Sequence, residues 1–125
     1  MIEKVRLSEK FAQFHDTWSP KIVGELNDSH IKLVKLQGEF VWHHHDEEDE
    51  LFLVVQGRLL IQVLEDVGGQ RDIWLEEGEM VIIPHGVEHR PIAEEEAHVL
   101  LLEPNTVVNT GNVESERTVL NPERL

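Results

Sequence analysis

The feature that most constrains the fold is a succession of short apolar runs, each ended by residues that favour turns. Two such runs, Glu50–Gln56 and residues 58–64, are rich in Leu, Val and Ile and are separated at Gly57. Apolar runs of strand length that recur between turns predict an all-β sandwich or barrel, and the break at Gly57 predicts a hairpin. No segment with helical periodicity lies between these runs, which argues against alternating strands and helices.

The remaining strands follow from the same pattern, and they divide the chain into a core and two flanking segments. Residues 1–7 suggest a short strand, and Ser8 is a candidate N-cap for one or two helical turns at 9–14. These residues form an N-terminal arm, 1–20, and a tail with little periodicity covers 105–125. Further strands are predicted at 31–36, 40–45, 71–75, 79–83, 89–93 and 97–103, the last two separated by an acidic turn at 94–96. We expect a single domain over 1–125.

Charge and residue usage exclude several classes of function. The chain has 25 acidic and 11 basic residues, a net charge of −14, which repels phosphates and makes nucleic acid and anionic membranes poor partners. It has no cysteine, so disulfides, thiolate metal sites and cysteine nucleophiles are impossible. Neither a signal peptide nor an apolar run of about 20 residues is present, so we predict a cytoplasmic protein with no membrane partner.

Four side chains form a candidate metal site. His43 and His45 project to the same side of an extended strand, whereas His44 projects to the other. Glu50 returns to that side if the chain reverses at the acidic residues 46–49, and His89 begins another strand after a turn. Three imidazoles and one carboxylate suit Fe, Mn, Co, Ni or Zn. Taken alone, the histidine triplet could equally be solvated surface, and His89 an ordinary loop residue.

The spacing around these residues favours the metal site. The first segment reads Gly38, four residues, His43, one residue, His45, four residues, Glu50, six residues and Gly57. The second reads Gly78, five residues, Pro84, one residue, Gly86, two residues and His89. Together they resemble the two signature motifs of the cupin superfamily, with the motif region at 38–93.

This resemblance implies a small single-domain cupin, a jelly-roll barrel built as a double-stranded β-helix. It also implies a divalent transition metal inside the barrel, with His43, His45, Glu50 and His89 as ligands. The sequence departs from the motifs at two points. The first glycine is followed by four residues rather than five before the first histidine, and Ala93 stands where the second motif usually has Asn.

Two functions remain open at this stage. The first is a metal-dependent enzyme acting on a small molecule, of dioxygenase, isomerase or lyase type. The second is a non-catalytic module that binds or senses a small molecule. No catalytic acid or base can be assigned, and the absence of Tyr and Cys excludes a tyrosine acid and a Cys–Tyr crosslink.

Other residues bear on assembly and on the ligand. Trp42 should project away from the metal, where it either packs within the chain or forms an interface. Together with an unpaired N-terminal strand and the habit of small cupins, it leads us to expect a homodimer. Arg58, Gln62 and His98 are open as cavity or surface residues, and residues 109–112 form either a cap or a loop.

Overall fold

The computed structural model describes residues 2–125, and these fold almost entirely into β-structure. Alternating inward and outward side chains along the strands account for this, as in β3, where every second residue is buried. The elements in chain order are α1 Leu7–Phe11, β1 Lys21–Leu26, β2 Ser29–Glu39, β3 Glu50–Gln56, β4 Leu59–Glu65, β5 Gly69–Leu75, β6 Met80–Ile83, β7 His89–Pro104 and β8 Glu123–Arg124.

The long strand β7 joins the two halves of the sheet. Its first residues pair with β4, its later residues pair with β3, and β2 runs antiparallel beside almost its whole length. The strand order is β5-β4-β7-β2-β1-β8, with β3 and β6 branching from β7, and the sheet is not closed. This is the all-β jelly-roll architecture expected for a cupin, in an open form.

The inward faces of these strands enclose one main core. Val54, Leu59, Ile61 and Val99 have no solvent exposure, and Trp18 from the N-terminal arm closes one side of the same core. A smaller cluster lies on the outer side of β2, where Phe11 and Phe14 cover Leu33. Burial of these apolar side chains supplies the main driving force for folding. A polar side chain in the core is costly to bury, so each one needs an explanation.

A second apolar surface lies on the outside of β3, β6 and β7. Leu51 of β3 is flanked by Ile82 and Leu102 on the neighbouring strands. Leu53 is flanked in the same way by Met80 and Leu100. We call these six residues the outer apolar face. Met80 and Ile82 are each about half exposed, at 52%, so this part of the face is open, whereas Leu100 packs against the cluster of Phe11 and Phe14.

Several local expectations were wrong. Residues 2–6 form no strand, and the helix begins at Leu7 rather than after Ser8. The break at Gly57 connects strands that do not pair with each other in the described chain, because β3 pairs with β6 and β7 while β4 pairs with β5 and β7. Residues 94–96 are not a turn but a bulge opposite Gln37 within β7, since the register slips between Leu36 and Gly38.

No helix within residues 2–125 has the length and apolar character needed to cross a bilayer. The helix α1 has five residues.

Candidate metal centre

Backbone hydrogen bonds bring the first histidine beside the last. After β2 ends at Glu39, the chain runs extended without forming a ladder, except for an isolated bridge between His43 and His89. The His43 N–H donates to the His89 carbonyl at 3.0 Å, and the His89 N–H donates to the His43 carbonyl at 2.9 Å. The extended conformation places His43 and His45 inward, both buried, and confirms the alternation expected from the sequence.

Two of the imidazoles are oriented by the backbone. Nδ1 of His43 lies 2.9 Å from the Val41 carbonyl oxygen, and Nδ1 of His89 lies 2.9 Å from that of Val87. A carbonyl can only accept, so each Nδ1 carries the proton and donates it. Each Nε2 is then left with a free lone pair, the form in which imidazole binds a metal ion.

Glu50, the first residue of β3, completes the group. Its Oε1 lies 3.3 Å from His89 Nε2 and 3.5 Å from His45 Nε2. One donor atom from each of His43, His45, Glu50 and His89 lies within 4.8 Å of all the others, and all four residues are buried. The structure therefore brings together the four side chains that the motifs predicted, in a group that can hold a metal ion.

The charge state of the group favours metal binding. Burial, and then the neighbouring His89, lower the pKa of His43 to about 4, so this imidazole is neutral near pH 7. Burial opposes ionisation of Glu50, but a hydrogen bond with Glu103 and the neighbouring His45 and His89 hold its pKa well below the usual range. The Glu50 carboxylate supplies one negative charge among three imidazoles, and a divalent cation would compensate it.

An unsatisfied atom tests whether a metal fits. His45 Nε2 is fully buried and has no hydrogen-bond partner among the described residues. A buried polar atom without a partner costs about 1–3 kcal/mol, and native proteins rarely leave one without a reason. A metal ion shared with the other three ligands would satisfy this nitrogen, so the residues present fit a divalent transition metal.

The inner side of the centre opens into a cavity. Its walls are largely aromatic and aliphatic, and Trp18 stacks on Phe40 with ring centroids 4.7 Å apart. Phe40 in turn meets His43 edge-on, at 5.4 Å between centroids. Trp18 is therefore a cavity wall. The lining residues are Trp18, Pro20, Val34, Leu36, Phe40, His43, Glu50, Phe52, Pro91, Leu101, Glu103 and Asn109.

Sequence reasoning missed an acidic residue in this cavity. Glu103, on β7, is 2% exposed and its Oε1 accepts a hydrogen bond from Lys32 Nζ at 2.9 Å. Burial, and then the adjacent Glu50 charge, raise the pKa of Glu103 well above its usual range. The signal was present, because Glu103 continues the inward alternation of Val99 and Leu101, but the parity of this strand was not used.

The C-terminal tail docks directly onto the histidine segment. The His44 N–H donates to Asn112 Oδ1 at 2.9 Å, and the Asn112 N–H donates to the His44 carbonyl at 3.1 Å. Thr110 is fully buried, and Asn109 lines the cavity. Residues 109–112 are therefore a cap rather than a free loop.

Several candidate residues lie away from the cavity. His44 projects outward, as expected, and contacts Glu88 at 2.5 Å and Asp46 at 2.8 Å. His98 stacks on Phe11 outside the main core. Neither belongs to the cavity lining.

Gln62 on β4 and Arg58, just before β4, also contact other surface side chains. Arg90 donates to Gln62 Oε1 and lies over the Trp42 ring at 5.0 Å. Arg58 lies over Trp74 at 4.0 Å. Their contacts place them on the surface of the sheet, so none of them meets a molecule bound beside His43 and Glu50.

A scan against family models gives a match over residues 31–104, and the matching model is described as a cupin domain. The chain belongs to the cupin family. The matched segment contains all four residues of the metal centre, together with β3 to β7 and nearly all of β2.

Individual relatives agree with this assignment. A cupin-2 domain containing protein of Shewanella frigidimarina NCIMB 400 superposes with a TM-score of 0.75 and 44% identity, covering 81% of this cupin and 94% of that chain. Protein YdbB of Bacillus subtilis is 36% identical over 84 residues, 67% of this chain and 65% of its own length. The 3-hydroxyanthranilate 3,4-dioxygenase 2 of Aspergillus fumigatus is 35% identical over 81 residues, 63% of this chain and 42% of its own. This cupin thus spans less than two thirds of the curated relatives it matches.

Proposed function

We propose that this cupin is a divalent-metal-dependent enzyme that oxygenates a small organic molecule in the cavity beside His43 and Glu50. The observation that carries the proposal is the buried group of three imidazoles and one carboxylate, with donor atoms within 4.8 Å of one another. A bound ion of this class supplies Lewis acidity and, if it is iron, electrons for chemistry with O2. The same reasoning assigns His43, His45, Glu50 and His89 as its ligands.

The protein's own part in such a reaction is to orient and to exclude water. The carbonyl groups of Val41 and Val87 fix two of the imidazoles before any ion arrives, so little reorganisation accompanies binding. The aromatic walls formed by Trp18, Phe40 and Phe52 favour a flat apolar body and keep water from the centre.

Oxygenation is favoured over isomerisation or elimination by the relatives. The 3-hydroxyanthranilate 3,4-dioxygenase 2 of Aspergillus fumigatus shares 35% identity over 81 residues. The molecule in that enzyme's name is aromatic, which agrees with the aromatic side chains that line the cavity here. We therefore take phenols with a neighbouring hydroxyl or amino group as the first substrates to test.

The test measures metal content and oxygen uptake together. The metal-free protein is loaded anaerobically with Fe(II), and bound metal is counted by mass spectrometry. Oxygen uptake is then followed with catechol and 2-aminophenol. We expect about one ion per chain in the wild type and in His44→Ala, and loss of most metal and uptake in His45→Ala. The first substitution removes an outward side chain, whereas the second removes a buried ligand.

Equal metal loss in the two variants would refute the ligand assignment. Oxygen uptake that survives complete chelation of the metal would refute the enzyme proposal. Metal-dependent binding of the phenols with no oxygen uptake would replace it with the non-catalytic binding function.

A further inference from the structure

The cavity beside His43 and Glu50 is too small in this structure for an organic molecule. Its volume is about 30 Å³, and a water molecule needs about 10–15 Å³ of such space, so about two waters fill it. Pockets that bind small organic molecules commonly measure about 300–1,000 Å³. A molecule of the proposed kind can therefore enter only if part of the cavity wall moves.

Trp18 is the part of the wall that borders the surface. It also lines an open surface cleft of about 430 Å³, formed by Thr17, Trp18, Ser19, Glu116, Arg117 and Val119. Among residues 2–125, Trp18 is the only one that lines both the cavity and this cleft, and its side chain is 5% exposed. Displacement of its ring would therefore connect the two spaces.

The backbone of Trp18 is strained in the position that it occupies. Its φ is +60°, in the left-handed region that bulky residues rarely adopt. The residue lies between α1 and β1, outside any strand, and donates its main-chain N–H to the Lys35 carbonyl at 2.9 Å and its indole N–H to the Gln37 carbonyl at 2.8 Å. Residues held in strained conformations by their surroundings are typical of ligand clamps and switches, because leaving the position relieves the strain.

A side chain of the C-terminal tail contacts the ring at the cleft. The Arg117 guanidinium carbon lies 5.2 Å from the centroid of the Trp18 ring, a distance at which a cation attracts the face of an indole. The tail itself is fixed through its main chain. The Arg117 carbonyl accepts a hydrogen bond from Asn109 Nδ2 at 2.7 Å, and the Val119 N–H donates to Asn109 Oδ1 at 2.8 Å. Truncation of the Arg117 side chain therefore removes the contact with Trp18 and retains these bonds.

We propose that Trp18 is a gate to the metal centre and that Arg117 is the latch that holds it closed. The ligand binds when the Trp18 ring has moved into the surface cleft, and the vacated space becomes part of the binding site. This inference rests on the proposed function, since an organic ligand needs the added space. When the binding-competent state is a minor population, the apparent affinity falls by that fraction, so the latch limits ligand binding.

Hydrogen exchange of the Trp18 indole N–H measures the opening of the gate in the full chain without any ligand. This N–H is buried and bonded to the Gln37 carbonyl, so it exchanges only when the ring leaves its place. The chain has three Trp residues, and Trp18→Phe identifies the indole signal of Trp18 by NMR. We expect a protection factor at least about tenfold below that of the Val99 amide, which lies in the central strand β7.

Removal of the latch should increase this exchange. We expect Arg117→Ala to exchange the Trp18 indole N–H about two- to fivefold faster than the wild type, the factor that corresponds to an exposed cation–π contact. Arg58→Ala is the matched control, because the Arg58 guanidinium lies over Trp74 at 4.0 Å and lines neither space. Its exchange at Trp18 should equal that of the wild type. Protection of Trp18 as high as that of Val99 overturns the gate, and equal exchange in Arg117→Ala and the wild type overturns the latch.

Ligand binding gives a second test of the gate. Protein loaded with Zn(II), which does not react with O2, is mixed with catechol by stopped flow, and the association and dissociation rates are measured. We expect Arg117→Ala to bind catechol about two- to fivefold faster with an unchanged dissociation rate, because the latch acts on the free protein. Zinc content equal to that of the wild type shows that the metal centre of the variant is intact.

The two tests separate this inference from the proposed function. Equal association rates in Arg117→Ala and the wild type, with zinc and catechol bound, overturn the latch. Failure of the wild type and of Arg117→Ala to bind zinc or catechol overturns the proposed function, and the exchange of the Trp18 indole N–H then decides the gate by itself.

Discussion

At the scale of single residues, the metal centre depends on groups that are not ligands. The carbonyl groups of Val41 and Val87 each lie two residues before a histidine and accept a hydrogen bond from its Nδ1. The two histidines also exchange backbone hydrogen bonds with each other. Because these bonds involve only the main chain, substitution of the Val41 or Val87 side chain leaves them in place.

The pKa of His43 gives a prediction for the metal-free protein. Because burial lowers this pKa to about 4, the folded protein resists a proton that the unfolded chain accepts near pH 6.5. The unfolded state therefore binds more protons between these values, and His43 makes the protein less stable as pH falls from 6.5 to 4. The loss from this one group reaches about 3 kcal/mol. Histidine NMR resonances followed from pH 7.5 to 4 should show His43 neutral at pH 5.

His44 provides the internal control for that titration. Hydrogen bonding to Glu88 raises its pKa, so its resonances should move at higher pH than those of His43. A His43 imidazole that charges at pH 6 or above would show that the centre is hydrated in solution rather than dry.

The sequence predicted the site residues only where the spacing of the two motifs identified them. His43, His45, Glu50 and His89 stand at motif distances, and the inward direction of the first two followed from strand alternation alone. The alternation of β7 marks Glu103 as inward, but its ion-pair partner, Lys32, lies 71 residues away in sequence. No local pattern links two such positions until the pairing of β2 with β7 is known.

At the scale of elements, the C-terminal cap, residues 109–112, packs tightly against the histidine segment. A Cβ on Gly111 would lie 2.2 Å from the His44 carbonyl oxygen and 3.0 Å from His43 Cδ2. Such an atom cannot be accommodated without moving either the cap or the histidine segment. The close approach of backbone to backbone therefore explains the glycine.

Gly111→Ala should destabilise the protein and weaken metal binding. Gly111 has φ +57°, so a side chain strains the backbone by about 1 kcal/mol, and the clash with His44 adds about 1–3 kcal/mol. Gly69→Ala is the matched control, because Gly69 also has positive φ (+74°), near that of Gly111, but nothing lies within 4 Å of its added Cβ. Thermal unfolding and zinc titration of both variants measure the difference. Equal losses in both would mean that the cap does not press on the histidines.

Strand positions were predictable but strand partners were not. Glu50–Gln56 was predicted with the bounds that the structure has, since alternation and turn residues are local signals. The turn residues at Gly57 predicted a hairpin, but the chain there connects β3 to β4, which are not neighbours in the sheet. Acidic residues 94–96 suggested a turn because they are polar, whereas a bulge opposite Gln37 accommodates them within a single strand.

At the scale of the whole molecule, charge and apolar surface act in opposite directions. The net charge of −14 keeps copies of the chain apart over most of their surface and still predicts that nucleic acid is not a partner. The outer apolar face carries no charged side chain, so two copies could meet there without opposing charges. Trp42 and an N-terminal strand were the earlier reasons to expect a homodimer, but Trp42 lies under Arg90 and residues 2–6 form no strand.

We therefore predict a homodimer that buries the outer apolar face. Ile82→Glu places a charge in the middle of that face and should convert the dimer to a monomer, because the charge would be desolvated on association. Val67→Glu is the control, since Val67 is 91% exposed in a turn away from the face. Sedimentation velocity at low micromolar concentration gives the mass of each. A wild-type monomer, or a dimer that survives Ile82→Glu, would contradict this interface.

The cap has a further consequence for the order in which the centre is built. All four candidate ligands precede residue 90, whereas Asn109 to Asn112 follow about 20 residues later in the chain. The cap follows the last residue of β7 in the chain, so the strands can bring the histidines together before the cap docks. Ion entry at that stage requires no opening of the finished protein, and docking of Asn112 onto His44 then encloses whatever the histidines have bound.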